Sequence, residues 1–348
     1  MTDIETINKN PHRRYNILTG EWVLVSPHRT KRPWQGKKDK VQQTKLNEYD
    51  ENCYLCPTNT RAGGEVNPDY KGTYSFVNDF SAILPDTVYQ KFEDGLLKSE
   101  AEAGICKVIC FSPNHSLTLP LMSVNEITDV VKLWKKEYTE LGAKEQINYV
   151  QIFENKGAIM GCSNPHPHGQ IWSHHSIPVE VQKKTKQQKE YWEKNKKSLL
   201  QDYLKQELIK DERILLKNKH FVALVPFWAV WPYETMIIPV NHYQNISQLN
   251  EEEETAFAEI IKKLTTKYDN LFEVSFPYSA GIHQSPTDGN KHEEWHFHMS
   301  FYPPLLRSAE IKKFMVGYEM FATPQRDITP ELAAKTLMQL PEQHYSNQ

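Results

Sequence analysis

No stretch of this chain approaches the roughly eighteen consecutive apolar residues that a membrane-spanning helix needs, and the mean hydropathy is −0.65. The opening segment, MTDIETINKNPHRRY, holds no apolar run that could form the core of a secretory signal. Cysteine is scarce and odd in number: Cys53, Cys56, Cys106, Cys110 and Cys162. Five thiols in a long chain with no export signal argue against a disulfide framework and for thiol or metal chemistry. A strong charge of one sign is also missing, and a net charge of −3 gives no electrostatic footprint for nucleic acid. These absences leave a cytoplasmic enzyme as the expectation. With 348 residues, 39 % of them hydrophobic, there is material for two ordinary domains or one large one.

What is present is a repeat. Ser123 and Glu126 form a capping box ahead of a helix that is apolar at Ile127, Val130, Val131, Trp134, Tyr138 and Leu141. Asn250 and Glu253 open a second helix in the same way, apolar at Phe257, Ile260, Ile261, Leu264, Tyr268 and Leu271. All six pairs lie 130 residues apart, as do His166 with His296 and His168 with His298. Asn114-His115 is echoed by Asn241-His242 at an offset of 127, which needs a small indel. Strand-like runs surround each helix: Lys107–Phe111, Leu117–Pro120, Tyr149–Glu154 and Gly169–Ser173 in the first unit, and His220–Val225, Glu234–Pro239 and Glu294–Tyr302 in the second. This order predicts an α+β fold with antiparallel sheets covered by helices on one face. The expected divisions are residues 1–180, a helical connector over 181–218 rich in Lys, Gln and Glu, and 219–348. The connector's charge run reads as a solvated face.

The most specific stretch is Gly161-Cys-Ser-Asn-Pro-His-Pro-His-Gly-Gln170. Two histidines at a spacing of two share a face on an extended strand. Pro165 and Pro167 stiffen the backbone and cannot donate ladder bonds, so the segment is expected to be a rigid edge that presents imidazoles. Cys53-Tyr-Leu-Cys56 is open among zinc, redox chemistry and nothing; Pro57 removes the helix that a redox pair would begin. Zinc would need two further ligands, and the chain offers His115 and His166. Cys106 and Cys110 lie on a strand and read as buried thiols. Ser26-Pro-His-Arg-Thr-Lys-Arg-Pro-Trp-Gln35 is either a phosphate clamp built on arginine forks or an ordinary basic loop.

With these residues assembled, the chain resembles the galactose-1-phosphate uridylyltransferase family, within the wider histidine-triad superfamily. The resemblance runs from His12-Arg-Arg-Tyr-Asn16, Val25-Ser-Pro-His-Arg29 and Lys31-Arg-Pro-Trp-Gln-Gly36 through Gly161–Gln170 to Phe301-Tyr-Pro-Pro-Leu-Leu-Arg307 and Lys313–Glu319. It implies two histidine-triad-like halves sharing one larger sheet, and a homodimer with shared active sites. It implies that His168 is the nucleophile that carries UMP from UDP-glucose to galactose 1-phosphate. Gln170 would then hold the transferring phosphoryl group, with Ser163 nearby, and a zinc ion would sit on Cys53, Cys56, His115 and His166. Arg29, Arg32, Ala62, Asn78, Asp79 and Asn155 would line the nucleotide-sugar site. Lys313, Phe314, Val316, Tyr318, Glu319 and Gln325 would surround the hexose across a dimer interface. Some members bind a second metal, iron, through one glutamate and three histidines. Here only His283 and His298 match that set, because Lys184 and Ser300 stand in the other two positions. Glu180 and His296 are near in sequence but off register, so no tightly held iron is expected.

The implied chemistry suits these side chains. A neutral imidazole, with a reference pKa of about 6.5, can attack phosphorus directly. A sugar phosphate leaves without a proton, since its second pKa is about 6, so no strong general acid is required. Gln170 stands where hydrolytic relatives carry a third histidine, and an amide can donate hydrogen bonds but cannot shuttle protons. The rival expectations are a dinucleoside-polyphosphate hydrolase or phosphorylase of the same superfamily, and a non-catalytic zinc-stabilised nucleotide-binding protein.

Overall fold

The computed structural model describes residues 4–31 and 47–347. Its centre is a nine-stranded sheet of β1 (Tyr74–Val77), β2 (Gly104–Cys110), β3 (Tyr149–Lys156), β4 (His168–His174), β5 (Ile214–Lys217), β6 (Phe221–Leu224), β7 (Thr235–Pro239), β8 (Tyr278–His283) and β9 (His298–Tyr302). The strands run in the order β1-β2-β4-β3-β8-β9-β7-β6-β5, and every neighbouring pair is antiparallel. The repeat is visible in that order. β2, β4 and β3 of the first unit are mirrored by β7, β9 and β8 of the second, and the units meet where Tyr278–Ile282 pairs with Ile152–Lys156.

Strand alternation separates two faces. One presents Ile109, Ile152, Ile171, Ile237, Ile282, Met299 and Phe301, all buried under α1 (Val124–Gly142) and α4 (Glu251–Phe272). Both capping boxes form as expected, Ser123 with Glu126 and Asn250 with Glu253. Every apolar position named for the two helices is buried except Leu271, which is partly so. The opposite face carries His168, Gln170 and Trp172 in the first half and His298, Ser300 and Tyr302 in the second.

Four expectations need correction. Leu117–Pro120 is turn and coil, because the chain there wraps the Asn114-His115 corner instead of pairing. The last strand begins only at His298: His296 and Phe297 are held by Gln188 and by the Tyr243 carbonyl, outside any ladder. β4 is an interior strand, paired to β2 and β3, not an edge. The two prolines are accommodated because both precede its first residue, His168. Nor is the segment after residue 180 only a solvated face. α2 (Val179–Asn195) and α3 (Leu199–Lys210) bury Val181, Leu199, Leu200, Tyr203 and Leu204, and α3 packs on Val222, Leu224, Met236 and Ile238 of the second half's sheet.

Candidate active site and metal centre

Cys53 and Cys56 lie on consecutive turns, His115 on the corner after β2, and His166 just ahead of β4. All four are buried, and one ligand atom from each falls within 4.8 Å of the others. Cys56 Sγ is 3.5 Å from Nδ1 of both His115 and His166. His166 Nε2 is 2.9 Å from the Ser112 carbonyl. A carbonyl can only accept, so the ring proton sits on Nε2 and the Nδ1 lone pair faces the thiols, an arrangement typical of a metal-bound imidazole. Asn164 ties the group together: its Oδ1 accepts from the His166 backbone (2.9 Å) and its amide nitrogen donates to Cys53 Sγ (3.4 Å). Without an ion, burial lifts the Cys56 thiol to about 11 and draws the His166 imidazole down to about 4. Two sulfurs and two neutral imidazoles in a dry pocket fit a closed four-coordinate metal, and the group could hold a metal ion.

The second half repeats this corner without the sulfurs. His242 and His296 rings lie 5.3 Å apart, against 5.4 Å for His115 and His166. His296 Nε2 meets the Pro239 carbonyl at 3.1 Å, as His166 meets Ser112, but its Nδ1 is 2.8 Å from the Ser198 hydroxyl. The Ser198 hydroxyl stands at His296 where Cys56 Sγ stands at His166.

Two residues beyond His166, at the start of β4, His168 Nδ1 lies 2.7 Å from the His166 carbonyl. The same logic puts the proton on Nδ1 and leaves the Nε2 lone pair unprotonated. Burial keeps the ring neutral by lowering its pKa. Among the described residues Nε2 has no partner, and the ring lines a cavity of about 430 Å³ with Ala62, Asn78, Asp79, Ser163 and Gln170. Gln170 Oε1 accepts from the Trp172 indole N–H at 3.2 Å, so among the described residues its NH₂ is the free end. Asp79 is braced by the Gly63 N–H (3.1 Å) and by Arg61 (3.5 Å), itself buried over the Phe76 ring.

Other expected site residues lie elsewhere. Arg29 pairs with Asp327 at 3.0 Å, and Gln325 donates to the same oxygen at 2.8 Å. Lys313 is bonded to Glu319 and to the Gln325 carbonyl, while Phe314, Val316 and Tyr318 stand exposed. Asn155, on β3, accepts from Ser279 at 2.7 Å. Arg32 lies outside the described residues. His298, the copy of His168, also has its Nδ1 on the carbonyl two residues back (2.9 Å), but its Nε2 is met by buried Lys184 Nζ at 3.5 Å. His283 stacks on it at 4.8 Å between ring centroids. Glu180 is taken by Lys183 (2.9 Å) and His296 by Ser198. An ammonium and one hydroxyl in place of a carboxylate and an imidazole make a poor divalent-cation site.

Sequence reasoning missed Arg61, Asn164 and Trp172. Asn164 carried a signal, as part of the motif. Trp172 stands two residues after Gln170 on the same strand, a spacing that the sequence itself shows, and Arg61 acts through a contact between segments that no spacing reveals.

The N-terminal domain of galactose-1-phosphate uridyl transferase matches residues 1–178, and its C-terminal domain matches residues 180–348. Galactose-1-phosphate uridylyltransferase of Haemophilus influenzae is 54 % identical over 99 % of both chains. The Rattus norvegicus protein of the same name is 50 % identical over 97 % of this chain and 90 % of its own. In fold, a solved uridylyltransferase superposes with a TM-score of 0.75 at 24 % identity, covering 94 % of this chain and 97 % of the other. An ADP-glucose phosphorylase from Arabidopsis thaliana, solved with ADP-glucose, gives 0.76 at 23 %, covering 95 % and 100 %. The chain belongs to the galactose-1-phosphate uridylyltransferase family.

Proposed function

We propose that this enzyme transfers UMP from UDP-glucose to galactose 1-phosphate by a ping-pong route through an adduct on Nε2 of His168, in the cytoplasm. The observation that carries this reading is the His168 tautomer: its proton is committed to a backbone carbonyl, and its free lone pair faces a cavity beside a free amide donor. Nε2 attacks the α-phosphorus, the P–O bond to glucose 1-phosphate breaks, and the electron pair leaves on a phosphate that needs no proton. Galactose 1-phosphate then attacks the phosphoramidate from the vacated position and restores the imidazole. The Gln170 NH₂ donates to a nonbridging oxygen that gains charge in flight. Ser163, Asn78, Asp79 and Ala62 line the cavity and are assigned to the nucleotide; Arg29, Arg32 and Asn155 are assigned to it on the family resemblance.

The metal assigned to Cys53, Cys56, His115 and His166 is zinc, with a structural role, because four protein ligands leave no open position. It would fix the turn from which His168 emerges. No second metal is assigned, given Lys184 and Ser300. Residues Lys313, Phe314, Val316, Tyr318, Glu319 and Gln325 are assigned to the hexose in a homodimer. The exposure of Phe314, Val316 and Tyr318 in the single chain supports a surface covered by another copy. We divide the chain into a zinc- and nucleophile-bearing unit over 1–180, the connector 181–218 and a degenerate unit over 219–348.

Intact mass measurement after incubation with UDP-glucose alone tests the mechanism. One uridylyl group per chain is expected, mapped to His168, with labelled glucose 1-phosphate exchanging into UDP-glucose. His168→Asn should abolish adduct, exchange and turnover while still binding UDP-glucose. Gln170→Ala should slow uridylylation by about 10²–10³. Exchange that persists in His168→Asn refutes the covalent route.

A further inference from the structure

The amide of a glutamine has two ends of similar size and opposite polarity. A phosphoryl transfer that needs the NH₂ is slowed whenever the oxygen turns toward the substrate. Among the described residues one donor meets the Gln170 oxygen. Trp172 follows Gln170 by two residues on β4, so both side chains stand on the same face of the sheet. Its indole nitrogen can only donate, and it lies 3.2 Å from Gln170 Oε1. Phe153, opposite Gln170 on β3, meets the Trp172 ring edge-on at 5.9 Å between centroids. Ser300 and Tyr302 stand at the equivalent positions of the second half, so the amide and its indole donor occur only beside the nucleophile.

We propose that Trp172 is a positioning residue for the transfer. Its N–H holds the Gln170 oxygen away from the reacting phosphorus, so that the amide is set as a donor before substrate arrives. This rests on the reading of His168 as nucleophile. It adds a claim which that reading does not contain: Trp172 acts only through Gln170.

The test is a double-mutant cycle on the first half-reaction, followed as the single-turnover rate of adduct formation on His168, with UDP-glucose affinity measured in parallel. Trp172→Phe keeps an aromatic ring for Phe153 and removes the donor. It should slow uridylylation roughly threefold to tenfold, the range for losing one hydrogen bond, and leave UDP-glucose affinity within about twofold because the donor acts on developing charge. In a Gln170→Ala background the same change should have no further effect. Benzothienylalanine at 172 replaces N–H by sulfur in a ring of the same shape, and it should reproduce the Trp172→Phe loss even if the phenylalanine variant folds poorly. Equal slowing in both backgrounds would make Trp172 a packing residue and overturn the proposal; so would an unchanged rate in the benzothienylalanine variant. A wild-type enzyme that turns over without an adduct overturns the covalent reading and this proposal with it, and the wild-type control reveals that case before any variant is compared.

Discussion

At Nε2 of His298 the closest cation is the Lys184 ammonium, and at Nε2 of His168 there is open cavity; that difference separates two copies of one residue. Burial lowers Lys184 to about 7, with Glu180 and Glu234 opposing the shift. A lysine whose folded pKa lies below its unfolded value of about 10.4 weakens the fold wherever it must be charged. The unfolded chain binds the extra proton between those values, so stability should rise as pH increases from about 7 toward 10. Lys184→Met removes the buried charge and keeps most of the volume. It should raise stability at pH 7 by roughly 1–4 kcal/mol and flatten that slope. Denaturant titrations at several pH values would show both, and a variant less stable than the parent would mean that the ammonium has a favourable partner. None of this was legible in the sequence beyond the misfit of Lys184 with a metal, since an amine's burial is a property of what surrounds α2.

Elements that declare themselves locally were read well. Capping boxes and a spacing of three and four apolar residues fixed α1 and α4, because those signals lie within one segment. Short runs that depend on a partner were read poorly. Leu117–Pro120 looks extended but has no strand beside it, and α2 and α3 look solvated because the residues they bury are few among many charges. The clearest tie between elements is likewise invisible in spacing. Arg14, on the His12–Asn16 strand, grips both oxygens of Glu331 at 2.8 Å from the first turn of α5 (Pro330–Met338), and Arg213 reaches the same carboxylate at 2.5 Å. Burial alone would raise Glu331, but the Arg14 and Arg213 guanidiniums pull it down to about 2. Its stabilising share is therefore complete above the usual glutamate pKa of about 4.3 and fades as pH falls toward about 2. Glu331→Gln should cost about 3 kcal/mol at neutral pH and remove that part of the acid sensitivity, as read by thermal melts from pH 2 to 7. An unchanged melting temperature would show that the two arginines find other acceptors.

Across the whole molecule, the sheet makes the two halves interdependent. β3 and β8 pair over Ile152–Lys156 and Tyr278–Ile282, and Lys156 is buried against Asp269 at 2.9 Å while Glu154 meets Tyr278 at 3.1 Å. Burial lifts Glu154 to about 7. Residues 1–178 expressed alone would bare the β3 edge and leave Lys156 unpaired. That fragment should aggregate, as read by light scattering, and co-expression with 180–348 should rescue it; a monomeric, cooperatively folded fragment would contradict this account. The group of Cys53, Cys56, His115 and His166 is the corresponding meeting point within the first half, drawn from three distant segments. Cys53→Ser should lower bound zinc from roughly one per chain toward none and reduce thermal stability, by elemental analysis and melting. Full metal content in that variant would show that the ion sits elsewhere. The sequence by itself determined the repeat, the α+β class, the family and the chemical identity of His168, Gln170 and the Cys53, Cys56, His115 and His166 set. The repeat and the class follow from residue types at fixed spacing, and the family and the site set from the motifs that carry the resemblance. Tertiary structure alone decided which nitrogen of His168 is free, which end of Gln170 is turned from the Trp172 indole, and why His298 is blocked by Lys184. The first two depend on the backbone conformation that turns a carbonyl and an indole two residues away onto the side chain, and the third on an amine brought close from another element.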